Sequence, residues 1–460
     1  MVQVRIRGFR SLRDAYLRPG HLTALVGEAS GGKSNLLAAI WALLDPYAPS
    51  LLPADATSGG DGRIHIRGRL ADGANVSLDV RPPGSPRRSG AAPVLFLPAS
   101  LRDGSLVAPS PDSDGPEMEA VKVLRSWLGE LADPLDRVAG ARSATVPARA
   151  LVGAMEACCT RGIEGLVVLL EEPELFLGPQ AQRYLYRLLH ELAEAGNQVV
   201  YSTHAPEFLN VARLEELALI ERDPMRGTTI VQPEPLPADE EFRAMSEFDA
   251  ERSELFLSRA AVLVEGLTEK LALPFVFAAL GHDPDREGIS IVECGGKSNI
   301  PLFARICLAA RIPFVVVHDR DAPAGTEPEP GEKALNELIA LVSAPCRTVV
   351  LEPDFEAAAG LRGHKGKPQR AWQRFRALQR SDVPRSLAEV VDTAVGLAGS
   401  RPSRGWHPTG YRKPIAGGRA RVDARPMLRD PAGPPGSSAV ARRDDPAPPQ
   451  PGRPQTTGSA

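Results

Sequence analysis

The stretch Leu22-Thr-Ala-Leu-Val-Gly-Glu-Ala-Ser-Gly-Gly-Lys-Ser-Asn-Leu-Leu37 constrains the fold more than any other part of this 460-residue sequence. An apolar run feeds a glycine loop that opens into helical spacing, so Gly27, four residues and Gly32-Lys33-Ser34 read as a phosphate-binding P-loop. In such a loop backbone N–H groups cradle phosphates, the lysine reaches the outer phosphates and the serine hydroxyl ligates Mg²⁺. Gly27, Gly31, Gly32, Lys33, Ser34 and Asn35 are therefore the expected ATP-binding set, with Ser34 on the metal. The helix predicted from Asn35 to Leu44 turns its positive end toward the same anion.

Length sets a prior of about two to three domains. No run approaches the roughly 20 apolar residues that span a bilayer, and Met1-Val-Gln-Val-Arg-Ile-Arg7 alternates as a strand rather than reading as a signal peptide. The expectation is a cytoplasmic protein without membrane contact. Its five cysteines form no C-x-x-C pair, which suits buried thiols in a reducing compartment. Residues 1–400 carry 43 Lys and Arg against 53 Asp and Glu, so any contact with nucleic acid must be local.

A β-hairpin is predicted from Arg63–Leu70 and Asn75–Val80, and a short strand from Val94 to Leu97. Then Leu166-Val-Val-Leu-Leu170 runs into Glu171-Glu172-Pro173-Glu174. An unbroken apolar run suits a strand buried on both faces of a parallel sheet, and such a sheet places ligands at the strands' C-terminal ends. Glu171 reads as the Mg²⁺-side acid and Glu172 as the group polarising the attacking water in phosphoanhydride hydrolysis. A second apolar strand ends in Ser202-Thr203-His204, where His204 is placed to sense a γ-phosphate.

The Phe9-Arg10-Ser11 opening, Gly27 to Ser34, Leu-Leu-Glu-Glu-Pro-Glu and Ser-Thr-His-Ala-Pro-Glu resemble the ABC-type ATPase head of the SMC, RecF and OLD groups. No Leu-Ser-Gly-Gly-Gln signature occurs; Gly140-Ala-Arg-Ser-Ala-Thr-Val-Pro147 stands where one is expected, which disfavours two ATP molecules sandwiched across a head-to-head dimer. Only 144 residues separate Gly27 from Glu171, leaving no room for long coiled-coil arms.

In the second half, strand-to-helix units repeat without a phosphate loop. Val264-Glu265-Gly266-Leu267-Thr268-Glu269 places two carboxylates one helical turn apart, able to face one crevice. A strand and the turn Gly295-Gly296-Lys297-Ser298 follow, then a strand running into Asp319-Arg320-Asp321, and a fourth ending in Glu352-Pro-Asp354-Phe-Glu356. Acid ends gathered on one edge of a parallel sheet repel one another unless cations bind, and Mg²⁺ or Mn²⁺, as one or two ions, suits such oxygen donors. Two metals would activate a water and stabilise the leaving oxygen of a phosphodiester.

Val-Glu-Gly-x-Thr-Glu followed by Asp-x-Asp resembles a TOPRIM domain, and a head followed by TOPRIM is the layout of the OLD-family nucleases, in a compact class without a helical insertion. The resemblance implies an α/β protein: an ABC-type P-loop ATPase domain over 1–240, a parallel-sheet TOPRIM nuclease domain over 255–395, and a disordered Pro/Gly/Arg-rich tail over 400–460. It carries Glu265, Glu269, Asp319 and Asp321 over as metal ligands, with Glu265 and Asp319 catalytic. Of the later acids, Glu352 is entered as a ligand, although Asp354 and Glu356 compete for that place. Ser298 and the Gly295-Gly296 turn are expected to line the cleft.

Arg362 to Arg380 contains seven Lys and Arg, no acid, and Trp372 and Phe375 interleaved. This segment is the expected grip on a DNA backbone, with Lys365 or Lys367 stabilising transition-state charge. The competing reading is a solvated basic helix whose Trp372 and Phe375 pack inward. The function expected is ATP-binding, metal-dependent DNA endonuclease, with a homodimer or higher homo-oligomer as the assembly and a helicase as a candidate partner. The alternative is a RecF- or SMC-like ATP switch that binds DNA in repair or recombination without cutting it.

Overall fold

The computed structural model describes residues 1–99 except 47 and 49, and residues 145–400 except 176, 210–212, 324, 345 and 362–366. In chain order β1 (Gln3–Phe9), β2 (Leu12–Leu17), β3 (Leu22–Val26), β4 (Ile64–Arg69), β5 (Asn75–Val80), β6 (Arg87–Ser89), β7 (Val94–Leu97), β8 (Val167–Glu171), β9 (Gln198–Thr203), β10 (Leu217–Asp223) and β11 (Gly227–Val231) form two sheets. The first is antiparallel, in the order β2-β1-β4-β5-β6, and contains the expected hairpin as the β4–β5 pair. The second runs β11-β10-β3-β9-β8-β7 and is parallel from β10 to β7. Its central strands are buried on both faces, which is why their sequences lack alternation.

Along those strands successive residues still enter opposite layers. Leu25, Leu169 and Val200 pack under α1 (Lys33–Leu44), while Ala24, Val168 and Val199 pack with α2 (Thr145–Thr160) and α3 (Pro179–Glu194).

Beyond α4 (Ala238–Glu247) and the single turn α5 (Ala250–Ser253) comes a four-stranded sheet, all of it parallel. It comprises β12 (Ala260–Val264), β13 (Ile289–Glu293), β14 (Phe314–Asp319) and β15 (Arg347–Leu351), in the order β13-β12-β14-β15. One face carries α6 (Leu267–Leu280) and the later helices α9 (Lys367–Phe375) and α10 (Arg385–Ser400). The other faces α7 (Ile300–Ala309), with α8 (Pro330–Val342) beyond it. This second face joins the first half: Leu263, Phe303 and Phe314 belong to the same apolar cluster as Leu189, Tyr201 and Phe208. The two folds therefore share one core. Lys365, most of the Gly140–Pro147 stretch and the tail expected to be disordered lie outside the described residues.

Candidate nucleotide and metal sites

The first site forms where β3 meets α1. Gly27 has φ 146°, and a Cβ there would lie 2.1 Å from the carbonyl oxygen of Ile220. Gly32, at φ 115°, leaves no more room, because its Cβ would meet Thr228 Oγ1 at 2.2 Å. The loop is thus pressed against β10 and β11 as closely as backbone permits, and its glycines are required by space as well as by conformation.

Lys33 is buried, and its Nζ donates to the carbonyls of Gly27 (2.7 Å) and Glu28 (2.9 Å) and lies 2.8 Å from His204 Nε2. Burial lowers its pKa to about 8, against the pull of Glu172 and Glu174. Burial and then the Lys33 charge push His204 down to about 4, so near neutrality the imidazole is uncharged and accepts from the ammonium. Glu172 Oε1 approaches His204 Nε2 to 3.5 Å, and Glu172 holds a left-handed φ of 45° with its N–H donating to Ser202 O. A non-glycine residue strained in this way at a strand end is characteristic of functional positions. Glu171 accepts from Ala99 N–H at 3.2 Å, Ser34 is exposed at the helix start, and Asn35 Nδ2 donates to Ser11 Oγ.

Sequence reasoning missed the role of Glu174. Buried, with its pKa raised by that burial, it accepts from Thr203 Oγ1 and the His204 N–H, both at 2.7 Å, and so fixes the histidine's backbone. It stands in the Glu-Glu-Pro-Glu run, but its partners lie 29 and 30 residues further on, so the run alone does not announce its role.

The second site is the C-terminal edge of the second parallel sheet. Glu265 follows β12, Glu269 lies in the first turn of α6, and Asp319 ends β14. Asp319 N–H donates to Glu265 Oε1 at 2.6 Å, and Asp319 Oδ1 accepts from Phe355 N–H at 2.8 Å. Burial raises Glu265 and Glu269 each to about 7 and Asp319 to about 8, and the facing carboxylates add to it: Glu269 and Asp321 on Glu265, Asp319 and Glu356 on Glu269, Glu265 on Asp319. Three acids that resist ionisation beside one another, Glu269 buried and Glu265 and Asp319 half-buried, are a donor set that fits hard divalent cations.

The other acids are partly engaged by cations of the chain. Lys297 Nζ bonds Asp321 Oδ2 (2.5 Å) and Glu332 Oε2 (3.0 Å); burial opposes its charge, but these partners outweigh that and raise its pKa. Arg320 approaches Glu352 at 3.6 Å, and Lys367 pairs with Glu356 at 2.9 Å. With Glu265 and Asp319 accepting backbone N–H groups and Asp321 turned to Lys297, no three His, Cys, Asp or Glu side chains among the described residues stand ready around one point. Lys297 was quoted in the sequence as part of a turn and not as a charge at this edge. Its partners lie 24 and 35 residues away, so no local pattern announces the pairing.

On α9 the basic segment divides. Ala371 and Phe375 are buried, Phe375 stacking on Phe355 at 6.0 Å, whereas Trp372 faces outward with the Arg376 guanidinium 4.9 Å above its ring. The inward-packing alternative therefore holds for Phe375 and fails for Trp372.

Several known sequences are similar to this chain. A family model described as overcoming lysogenization defect protein-like, TOPRIM domain, matches residues 256–321, and one described as AAA domain, putative AbiEii toxin, Type IV TA system, matches residues 150–210. An OLD nuclease of Thermus scotoductus is 29% identical over 85% of this chain and 97% of that protein. The Old nuclease of Escherichia phage P2 is also 29% identical, over 34% of this chain and 28% of that protein. A ribose import ATP-binding protein of Rubrobacter xylanophilus is 25% identical over 43% of this chain and 37% of that protein.

Fold and sites together define an ABC-type P-loop ATPase head joined to a TOPRIM domain. The chain is similar to the OLD nucleases, over most of its length in the Thermus scotoductus protein and through the TOPRIM model in its second half.

Proposed function

We propose that this protein is an ATP-regulated, metal-dependent DNA endonuclease of the cytoplasm, in which the head is the control input and the TOPRIM edge the output. One observation carries the reading: Glu265, Glu269 and Asp319 stand half-buried or buried and mutually repelling at the C-terminal edge of a parallel sheet. Glu265, Glu269 and Asp319 would hold two divalent cations, with Asp321 and one of Glu352 or Glu356 completing the set. Such cations, when bound, supply activation of a water and neutralisation of the leaving oxygen. Lys367, held beside the edge by Glu356, places a positive charge where a phosphodiester would develop negative charge. The Arg370 and Arg374 flank of α9 would follow the DNA backbone.

In the head, Lys33 and Ser34 would bind the phosphates and Mg²⁺ of ATP, Glu171 would complete the metal site, and Glu172 would orient the attacking water with His204 beside it. The test is incubation of the purified protein with supercoiled plasmid and Mg²⁺ or Mn²⁺, with and without ATP. Nicked or linear product that requires the divalent ion and responds to ATP is expected; intact plasmid under every condition would refute nuclease activity.

A further inference from the structure

Between the two sites lies a short stretch that the proposed chemistry does not use. Lys33 touches His204, and a single residue, Ala205, separates His204 from the 3₁₀ turn Pro206–Phe208. That turn packs on α5, so a change in what His204 contacts is passed to α5 through one short, tightly held segment. The segment has little slack: Glu174 fixes the His204 N–H, Thr203 Oγ1 accepts from Ala205 N–H, and Phe208 is fully buried against Tyr201.

On its far side α5 reaches the TOPRIM edge. Asp249 caps it through Arg252 N–H, and Glu251 pairs with Lys270, next in sequence to Glu269. The Arg252 guanidinium, half-buried, donates from Nε to Glu293 O (2.9 Å) and from Nη1 to Glu247 O (2.6 Å). Glu293 ends β13, and the next residues form the loop that carries Lys297. Three further hydrogen bonds hold this loop. Gly296 N–H donates to Glu265 O, Asn299 Nδ2 donates to Cys294 O, and Arg243 donates to Asn299 Oδ1. Glu247 Oε2 and Arg252 Nη2 lie so near Gly295 that a Cβ there would meet them at 3.2 and 3.1 Å.

We propose that Arg252 is a positioning residue through which the nucleotide state of the head sets the placement of the Glu293–Asn299 loop, and with it the Lys297 that holds Asp321 and Glu332. Arg252 touches neither nucleotide nor DNA; it acts by fixing the loop's first carbonyl. A planar guanidinium suits this because it reaches Glu293 O and Glu247 O from two nitrogens held rigidly in one plane, whereas a lysine would have to reach both from a single nitrogen on a flexible stem. The shared core supplies the rigid backing, since α5 is embedded where the two folds meet and Leu255 and Phe256 directly after it lie in that core. Coupling of this kind requires two arrangements of the loop, which nucleotide must bias.

The inference rests on the nucleotide-binding reading of the head, and its test does not need DNA cleavage. Hydrogen–deuterium exchange is followed on the full chain with and without Mg²⁺ and a slowly hydrolysed ATP analogue, for wild type, Arg252→Ala and Arg252→Lys. In wild type, nucleotide should protect the Gly27–Ser34 loop and change exchange across Glu293–Asn299 by about threefold or more. In both variants the P-loop protection should remain while the response at Glu293–Asn299 disappears or falls well below half. A protected P-loop with no change at Glu293–Asn299 in wild type overturns the inference, as does a wild-type response in Arg252→Ala. Should that variant fail to fold, a wild-type response in Arg252→Lys overturns it equally. Absence of protection at the P-loop removes the nucleotide reading and this inference together, whereas intact coupling in a protein that leaves plasmid uncut removes the nuclease reading alone.

Discussion

Lys33 illustrates at the residue scale how function and stability pull apart. Its ammonium is buried, and its pKa lies near 8 where an exposed lysine holds 10.5, so the unfolded chain binds that proton more tightly than the folded one. The cost of keeping Lys33 charged is therefore present at pH 7 and fades as pH rises from about 8 toward 10.5. Lys33→Met should lose ATP binding and yet raise stability at pH 7 by on the order of 2 kcal/mol, with the gain shrinking by pH 10. Thermal midpoints at the two pH values check this; a variant less stable than wild type at pH 7 contradicts it. At the other site, Asp319→Asn keeps an acceptor for Phe355 N–H while removing the charge. DNA cleavage should fall by about a hundredfold or more, as expected for loss of a metal-holding acid, with ATP hydrolysis left within about twofold of wild type. Retained cleavage in this variant would remove Asp319 from the site. Gly27, Lys33, Glu265 and Asp319 could be singled out in the sequence because each stands in a motif whose spacing spans only a few residues. Lys297 and Glu174 were not, because their meaning lies in partners brought together by the fold.

Among the elements, α9 shows what a helical pattern gives and what it withholds. At 3.6 residues per turn, Lys367, Arg370 and Arg374 fall along one flank, Ala371 and Phe375 enter the core beside α6 and Phe355, and Trp372 and Arg376 fall on the other flank. The composition of Arg362 to Arg380 announced a basic aromatic segment but not that its aromatic residues part company, since this depends on which face Phe355 and α6 cover. Phe375→Ala should therefore cost about 3–5 kcal/mol, whereas Trp372→Ala should change stability by no more than about 0.5 kcal/mol. Chemical denaturation of the two variants decides this, and equal costs would mean that the assigned faces are wrong. Arg374→Ala belongs to the other flank. It should lower the slope of log affinity against log salt for DNA by about 1 while leaving the fold intact, and an unchanged slope would take α9 out of the DNA path.

For the whole molecule, the boundary near residues 240–255 that the motifs suggest is a boundary of chemistry more than of stability. Periodicity identified the central parallel strands of both halves, because strands buried on both faces read as uninterrupted apolar runs, whereas the short β6 and the β10–β11 pair carried no such run into the reading. What periodicity does not contain is which buried face meets which. Leu189, Tyr201 and Phe208 of the head share a cluster with Leu255, Phe256, Leu263, Phe303 and Phe314 of the TOPRIM half. Cutting the chain after residue 240 would expose both sides of that cluster to water, and each exposed large apolar side chain forfeits about 1.5–3 kcal/mol. Several such losses exceed a large part of a domain's stability of about 5–15 kcal/mol, so neither half is expected to unfold independently of the other. Heating should then give one transition across residues 1–400, reported at the same temperature by exchange at β3 in the head and at β12 in the TOPRIM sheet. An ATP analogue at a hundred times its dissociation constant should stabilise both probes together, by about 2.7 kcal/mol. Midpoints separated by more than several degrees, or a nucleotide shift confined to β3, would show the halves to be thermodynamically separate, and the shared core would then be a contact between domains that each stand alone.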